Sequence, residues 1–304
     1  MRLRLAQPKS LFTALLKPDE IIDLKPVAHR DMVVTAGVQG VHLISLGTGK
    51  ILHEFAGPDP SWYGVAVSAD ARWLAANNEA GEITIWDLLS RTRVQQFKLE
   101  VESPGELSFS PTGKVLATRI DRNLVFMDVE TGRWHQPDFG KQTAWAEFSP
   151  DDIHLALARH ETNDVEIWDW RRKVLTQTYP GHGTVIYKTR YGPRGRLLAA
   201  VDRSRRLIVW DLEQGVELFS TVTHDDRINR AIFTPDARSL VTYSNDGCMR
   251  LWHVATGTRL FDLLGLPHED IMRAVLACDS KYLCYVGAQE RLLRIAPGVV
   301  ATGR

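Results

Sequence analysis

An all-β ring of seven four-stranded antiparallel units is the fold this sequence predicts, and three observations predict it. Apolar runs of strand length alternate with turn residues along the 304-residue chain. A tryptophan or an apolar substitute returns about every 42 residues. A turn of the Phe-Ser/Thr-Pro-Asp type returns at the same spacing, in a different part of each unit.

The clearest unit runs from Ile228 to Thr258. An apolar run ends at Phe233 and turns through Thr234-Pro235-Asp236; a second, Leu240–Tyr243, meets Ser244-Asn245-Asp246-Gly247; a third carries Met249-Arg250-Leu251-Trp252. Proline presets φ in the first turn, and Asp-Gly tolerates positive φ in the second, so the runs read as an antiparallel meander. At the place of Trp252 stand Ile44, Trp86, Met127, Trp168, Trp210 and Ile295, with successive gaps between 41 and 43 residues. At the place of Phe233 the spacing puts Leu24, Val67, Phe109, Phe148, Tyr191 and Leu276. Turns such as Glu130-Thr131-Gly132-Arg133 lead into a fourth, outer strand, as at Lys50–Phe55 or Arg93–Leu99. Four strands in about 42 residues make a propeller blade. Seven such repeats fill about 20–296, so 1–304 reads as a single domain.

These residues resemble the WD-repeat β-propeller family. The resemblance rests on Trp86-Asp87, Trp168-Asp169, Trp210-Asp211, Gly181-His182 and the Phe-Ser-Pro turns, and spans nearly the whole chain. Ile44-Ser45, Met127-Asp128 and Ile295-Ala296 depart from it. The family implies a seven-bladed β-propeller whose last blade is closed by a strand from the N-terminus, here about 10–16, with Leu11–Leu16 as the favoured segment. Arg2–Ala6, a short helix over Ser10–Lys17, and closure by Val299–Thr302 remain alternatives. It also implies a buried hydrogen-bonded set inside a blade, which falls on His224, Thr242, Asp246 and Trp252. A hydrolase triad is the competing reading, but no Gly-x-Ser-x-Gly elbow accompanies it.

Composition removes other classes. Lys and Arg number 37 and so do Asp and Glu, which makes nucleic acid the weakest partner reading. Three cysteines in so long a chain suit a reducing compartment, and cytoplasmic location is the expectation. No apolar run reaches about 18 residues, and no membrane contact is expected. Gly47-Thr48-Gly49-Lys50 lacks the rest of a phosphate loop, and His160-Glu161 lacks a second histidine at zincin spacing. His224-Asp225-Asp226 and His268-Glu269-Asp270 read as equivalent turns. No cofactor, metal or catalytic residue is expected.

Alternation along the innermost strands separates two faces. Ile22, Val65, Leu107, Ala146, Thr189, Ala231 and Ala274 share the packed face, while charge falls on the other. Acids come from the third and fourth units and bases from the fifth to seventh. Seven acids and one base occupy Glu147–Asp169; seven bases and one acid occupy Lys188–Arg206. A polarised channel mouth follows, with Glu106, Trp145, Glu147, Lys188, Arg190, Arg230 and Arg273 as partner-binding candidates. Mutual ion pairing is the alternative use of the same charges. The functional expectation is a non-catalytic scaffold for a protein or peptide partner, acting alone or as a subunit of a larger complex. A propeller enzyme or small-ligand binder with its site at the channel mouth is the second reading.

Overall fold

The computed structural model describes residues 12–14, 21–57, 61–99, 105–121, 123–140, 142–180, 183–265, 271–277, 282–287 and 293–297. Alternating apolar positions and Gly, Pro, Asp and Asn turns give 28 strands among them. Strand β1 is Phe12–Ala14. Blade one holds β2 (Ile21–Pro26), β3 (Met32–Gly37), β4 (Gly40–Ser45) and β5 (Ile51–Ala56). Blade two holds β6 (Trp62–Val67), β7 (Trp73–Asn78), β8 (Glu82–Asp87) and β9 (Thr92–Lys98). Blade three holds β10 (Ser108–Phe109), β11 (Val115–Ile120), β12 (Asn123–Asp128) and β13 (Trp134–His135). Blade four is β14 (Thr143–Phe148), β15 (His154–Arg159), β16 (Val165–Asp169) and β17 (Val174–Tyr179). Blade five is β18 (Ile186–Tyr191), β19 (Leu197–Asp202), β20 (Arg206–Asp211) and β21 (Val216–Val222). Blade six is β22 (Ile228–Phe233), β23 (Ser239–Ser244), β24 (Cys248–His253) and β25 (Thr258–Gly265). The last sheet joins β26 (Ile271–Ala277), β27 (Tyr282–Gly287) and β28 (Leu293–Pro297) to β1.

The expectation of seven equivalent repeats needs correction. Six blades, not seven, are built from four consecutive strands, and the remaining sheet is composite, with Phe12 opposite Ile295. Blade three is a reduced unit, whose inner and outer strands are two residues each. Of the closing segment, only 12–14 is described; Arg2–Ala6, Val299–Thr302, Gly181-His182, Cys278 and His268-Glu269-Asp270 lie outside the described residues.

Every neighbouring pair shares an apolar core. Val34, Val41, Trp62, Leu74 and Trp86 fill the space between blades one and two, and Leu198, Ile208, Tyr191 and Ile167 that between four and five. Ile21, Leu24 and Val33 pack on Val275, Cys284 and Val286, which joins the first blade to the last and closes the ring. Closure leaves only short outer edges unpaired. The aspartates that follow the tryptophan position in blades two to five, Asp87, Asp128, Asp169 and Asp211, each tie down the turn into an outer strand. Asp87 accepts from the N–H groups of Leu89 and Ser90 at 2.9 and 2.8 Å, and Asp128 from Thr131 N–H at 2.7 Å.

The register corrects two alignments. In the last sheet Ala296, not Ile295, faces Leu283 as Trp252 faces Leu240. In blade one, Pro26 faces Val33 as Phe233 faces Leu240, so Pro26 and not Leu24 is the equivalent of Phe233. Leu24 moves to the packed position assigned to Ile22, and Lys25 falls in line with Ile232. Blade one lacks the Phe-Ser-Pro turn that anchored the other alignments, and a weak apolar anchor tolerates a two-residue slip without changing face.

The turn after the innermost strand has a recurrent left-handed residue, four places beyond the Phe233 position. It is Gly113 in blade three and Gly195 in blade five, but Ala71, Asp152 and Ala237 in blades two, four and six. Ala237 sits at φ 59°, where Cβ meets the following carbonyl. Replacing Ala237 by Gly removes that clash while adding freedom to the unfolded chain. The expected net gain is about 0.5–1 kcal/mol, read as a higher urea midpoint; a lower midpoint would contradict the turn geometry.

Candidate functional site: the channel and its two mouths

Six of the seven innermost strands shift register at one place, between Ile21 and Asp23, Trp62 and Gly64, Thr143 and Trp145, Ile186 and Lys188, Ile228 and Arg230, and Ile271 and Arg273. A bulge re-aims the residue that follows it. With Glu106, which holds the same place in blade three, these residues form a ring of Asp23, Gly64, Glu106, Trp145, Lys188, Arg230 and Arg273. Two residues further on, a second ring contains Lys25, Glu147 and Arg190.

The charges in these rings meet across the axis. Glu106 of blade three is ion-paired with Lys188 of blade five and Arg230 of blade six, and Lys25 of blade one reaches it at 3.4 Å. Asp23 takes Lys25 at 2.9 Å and Arg273 of the last blade at 3.2 Å, and accepts Val65 N–H at 3.2 Å. Arg190 pairs with Glu147 at 3.0 Å. The Lys188 ammonium also lies 3.4 Å above the Trp145 ring, a cation–π contact.

Acidic and basic blades therefore do not present a polarised face to water, as the sequence suggested; their inner side chains pair with one another. Trp145 is covered by Lys188 and is not a free aromatic anchor. Burial pushes the Asp23 carboxyl up, but Lys25, Arg273 and Arg230 outweigh it and hold it far below the usual range. Burial raises the Glu147 carboxyl despite Arg190, and lowers the Lys188 ammonium, with Arg273 and Lys25 adding to the fall.

The second predicted group lies inside blade six. Trp252 Nε1–H donates to Thr242 Oγ1 at 2.9 Å, His224 Nε2 lies 2.7 Å from that hydroxyl, and His224 Nδ1 lies 3.0 Å from Asp246 Oδ2. Thr242 has one proton to give. With the indole N–H donating to its oxygen, it donates to an unprotonated Nε2, and Nδ1–H donates to Asp246. Burial holds the His224 imidazole below its ordinary 6.5, although Asp246 pulls the other way. The order resembles a catalytic triad, but Thr242 is 0% exposed and its hydroxyl is already engaged by tryptophan. The group braces the turn; no substrate reaches it.

Blade four solves the same problem differently. Leu157 replaces the threonine, and Trp168 Nε1–H donates instead to Glu166 at 2.8 Å. Glu166 is held by the fully buried Arg159 at 2.8 Å from Nε, and the same guanidinium donates to Phe139 O at 2.8 Å. The missing threonine opposite a retained tryptophan was the signal in the sequence that another acceptor was needed.

Each mouth opens into a cavity. One, of about 440 Å³, is lined by Arg119, Asp121, His160, Tyr187, Arg203 and Arg227 among others. The exposed Arg227 lies 4.8 Å over the Tyr187 ring, whose hydroxyl donates to Ile228 O. These residues sit at strand ends and in turns, where no alternation marks them, and the sequence reading missed them. The other, of about 500 Å³, is bounded by the ends of the innermost strands and includes Lys25, Glu147 and Arg190. Among the described residues, no cluster of three or more histidine, cysteine or acidic side chains could hold a metal ion, and no helix is long and apolar enough to cross a membrane.

Three outcomes follow. Thr242→Val strands both the indole N–H and His224 Nε2 in the core and should cost about 2–4 kcal/mol in urea unfolding. Because the folded His224 resists protonation, the unfolded chain binds more protons below pH 6.5, and the brace's contribution, complete above that value, declines as the pH falls. His224→Gln should flatten that decline between pH 6.5 and 5; an unchanged slope would show that His224 does not titrate there. Glu106→Gln leaves Lys25, Lys188 and Arg230 facing one another and should cost about 3 kcal/mol; a neutral change would remove Glu106 from the closure.

A family model described as "WD domain, G-beta repeat" matches residues 173–211 and 215–253. Each match begins at or near the outer strand of one blade and ends with the third strand of the next, so the sequence repeat is offset from the blade by one strand. Relatives include Protein groucho of Drosophila melanogaster, 25% identical over 201 residues, and Transducin-like enhancer protein 2 of Mus musculus, 26% over 176. Coronin-7 of Bos taurus is 29% identical over 157 residues. These matches cover 66%, 57% and 49% of this chain but only 27%, 23% and 17% of the relatives. Among solved structures, the beta-propeller domain of Myceliophteria thermophila Cps50 (Swd1) superposes with a TM-score of 0.80 at 13% identity, covering 92% of this chain and 98% of that one. That likeness shows the fold. The matched repeats and the four-stranded blades agree: the chain carries WD repeats and has a β-propeller fold.

Proposed function

We propose that this propeller is a non-catalytic scaffold, a single domain whose partner is a protein or peptide docked at the arginine-bearing mouth. The observation that carries the reading is the contrast between the two sets of charge. Inside the channel, Glu106, Lys188, Arg230 and Arg273 are committed to one another and to Asp23. At the mouth, Arg203 and Arg227 are exposed, and neither is ion-paired to a carboxylate among the described residues. Exposed guanidiniums beside an aromatic ring suit an acidic segment of a partner, since arginine and tyrosine dominate interface energetics and local charge steers encounter. Arg190 and Glu147 stay in the proposal as the wall of the opposite mouth.

What WD40 propellers generally do supports the scaffold reading. Cys248 and Cys284 are free thiols, in keeping with the proposed cytoplasmic location. The test is affinity capture with the intact chain as bait. Arg203→Glu with Arg227→Glu should remove the captured partner while the melting temperature stays within about 2 °C of the parent. Retention of the same partner by this pair would overturn the docking site, and co-purification of a turned-over small substrate would favour the enzyme reading instead.

A further inference from the structure

The cavity at the other mouth has a composition that neither the scaffold reading nor the ring's own closure requires. Its charged lining is Lys25, Arg190 and Arg230 against the single carboxyl of Glu147. Directly behind it, Glu106 is the shared partner of Lys25, Lys188 and Arg230, so one carboxylate serves three cations. Over the two rings, five bases stand against three acids among the described residues. Like charges this close, in surroundings poorer in water than bulk, repel strongly unless an anion joins them. The rest of the lining is mostly apolar, with Phe109, Phe148 and other side chains from the ends of the innermost strands, beside Ser108 and Ser110. Three polar atoms of the wall are buried without a hydrogen-bond partner, Arg190 Nε, Glu147 Oε2 and Tyr191 OH. A native core rarely leaves such atoms unsatisfied, and a bound group is one of the standard explanations.

We propose that this cavity binds an organic carboxylate with an apolar body, its acid group set among Lys25, Arg190 and Arg230 and its body against the aromatic wall. Arg190 Nε–H would donate to the carboxylate. The molecule's other way to shed the excess charge is proton loss from Lys25, whose ammonium burial and Arg230 push down to about 7 against the pull of Asp23. The carboxylate has two sources with the same chemistry, a free small acid or the C-terminus of a peptide.

Isothermal titration of the intact chain separates the outcomes. N-acetyl-phenylalanine should bind saturably, while N-acetyl-phenylalaninamide, which lacks the charge, and acetate, which lacks the apolar body, should each bind at least about tenfold more weakly. This comparison is made on the unmodified chain, so it does not depend on any variant folding. Arg190→Gln should lose about tenfold in affinity for N-acetyl-phenylalanine, with partial rescue in Arg190→Lys, and Arg227→Gln at the opposite mouth should bind as the parent does. A peptide ending in phenylalanine with a free carboxylate, if it binds more tightly than the free amino-acid derivative, assigns the site to chain termini; equal affinity assigns it to small acids. No saturable binding, or equal binding of acid and amide, overturns the proposal. Because partner capture reads Arg203 and Arg227 alone, the two functional readings fail independently.

Discussion

The carboxylate of Glu106 is the interaction on which the assembled ring turns. Side chains from blades one, three, five and six converge on it, and the Asp23–Arg273 pair ties the first blade to the last beside it. Apolar cores bind each blade only to its neighbours, as in any repeat array. Such cores supply most of the free energy but are tolerant of a slightly different blade angle. An ion pair spanning the diameter is not, because charge removed from water must find its partner at close range. Closure is thus energetically apolar and geometrically electrostatic.

The same division recurs within blades. Trp252 and Trp168 both bring an indole N–H into the core, and each needs an acceptor. Blade six provides Thr242, oriented by His224 and Asp246, whereas blade four provides Glu166, oriented by Arg159. The network that ends on Asp246 and the one built on Arg159 occupy the same level of the sheet. What is maintained from blade to blade is the satisfaction of a buried donor, not the residue that satisfies it. Blade three, with Met127 in the tryptophan position, has no such donor there, and its shortened inner and outer strands accompany that loss.

The repeat and the strand order within a blade were legible in the sequence because each rests on spacing, and the His-Thr-Asp-Trp grouping because the family resemblance implied it. Period-two alternation and turn chemistry are local, and a 42-residue recurrence multiplies a weak signal by the number of blades. The slip in blade one shows the limit: with no proline turn to anchor it, Leu24 and Pro26 are equally good apolar anchors on the same face. That slip hid Lys25. The pairing of the channel charges was not legible either. Alternation told which residues point inward, but whether Glu106 meets water or Arg230 depends on a distance across the ring, between residues 124 apart in the chain. The arginine mouth was missed for the related reason that Arg119, Arg203 and Arg227 come from three different blades and no shared position in the repeat.

This sets how charge in the molecule divides between structure and function. A charged side chain on an innermost strand meets partners from other blades, as Glu106 meets three, so closure tends to consume it. One at a strand end or in a turn is held apart by the widening of the channel, so it keeps its charge for something outside. Arg230 belongs to both groups, since it pairs with Glu106 and also lines the cavity. It is therefore the residue through which occupancy of the cavity would be felt at the axis: an anion drawn to Arg230 competes with Glu106 for the same guanidinium and loosens the cross-ring pair by as much as it gains. A ligand in that cavity and the closure of the ring are coupled by one side chain.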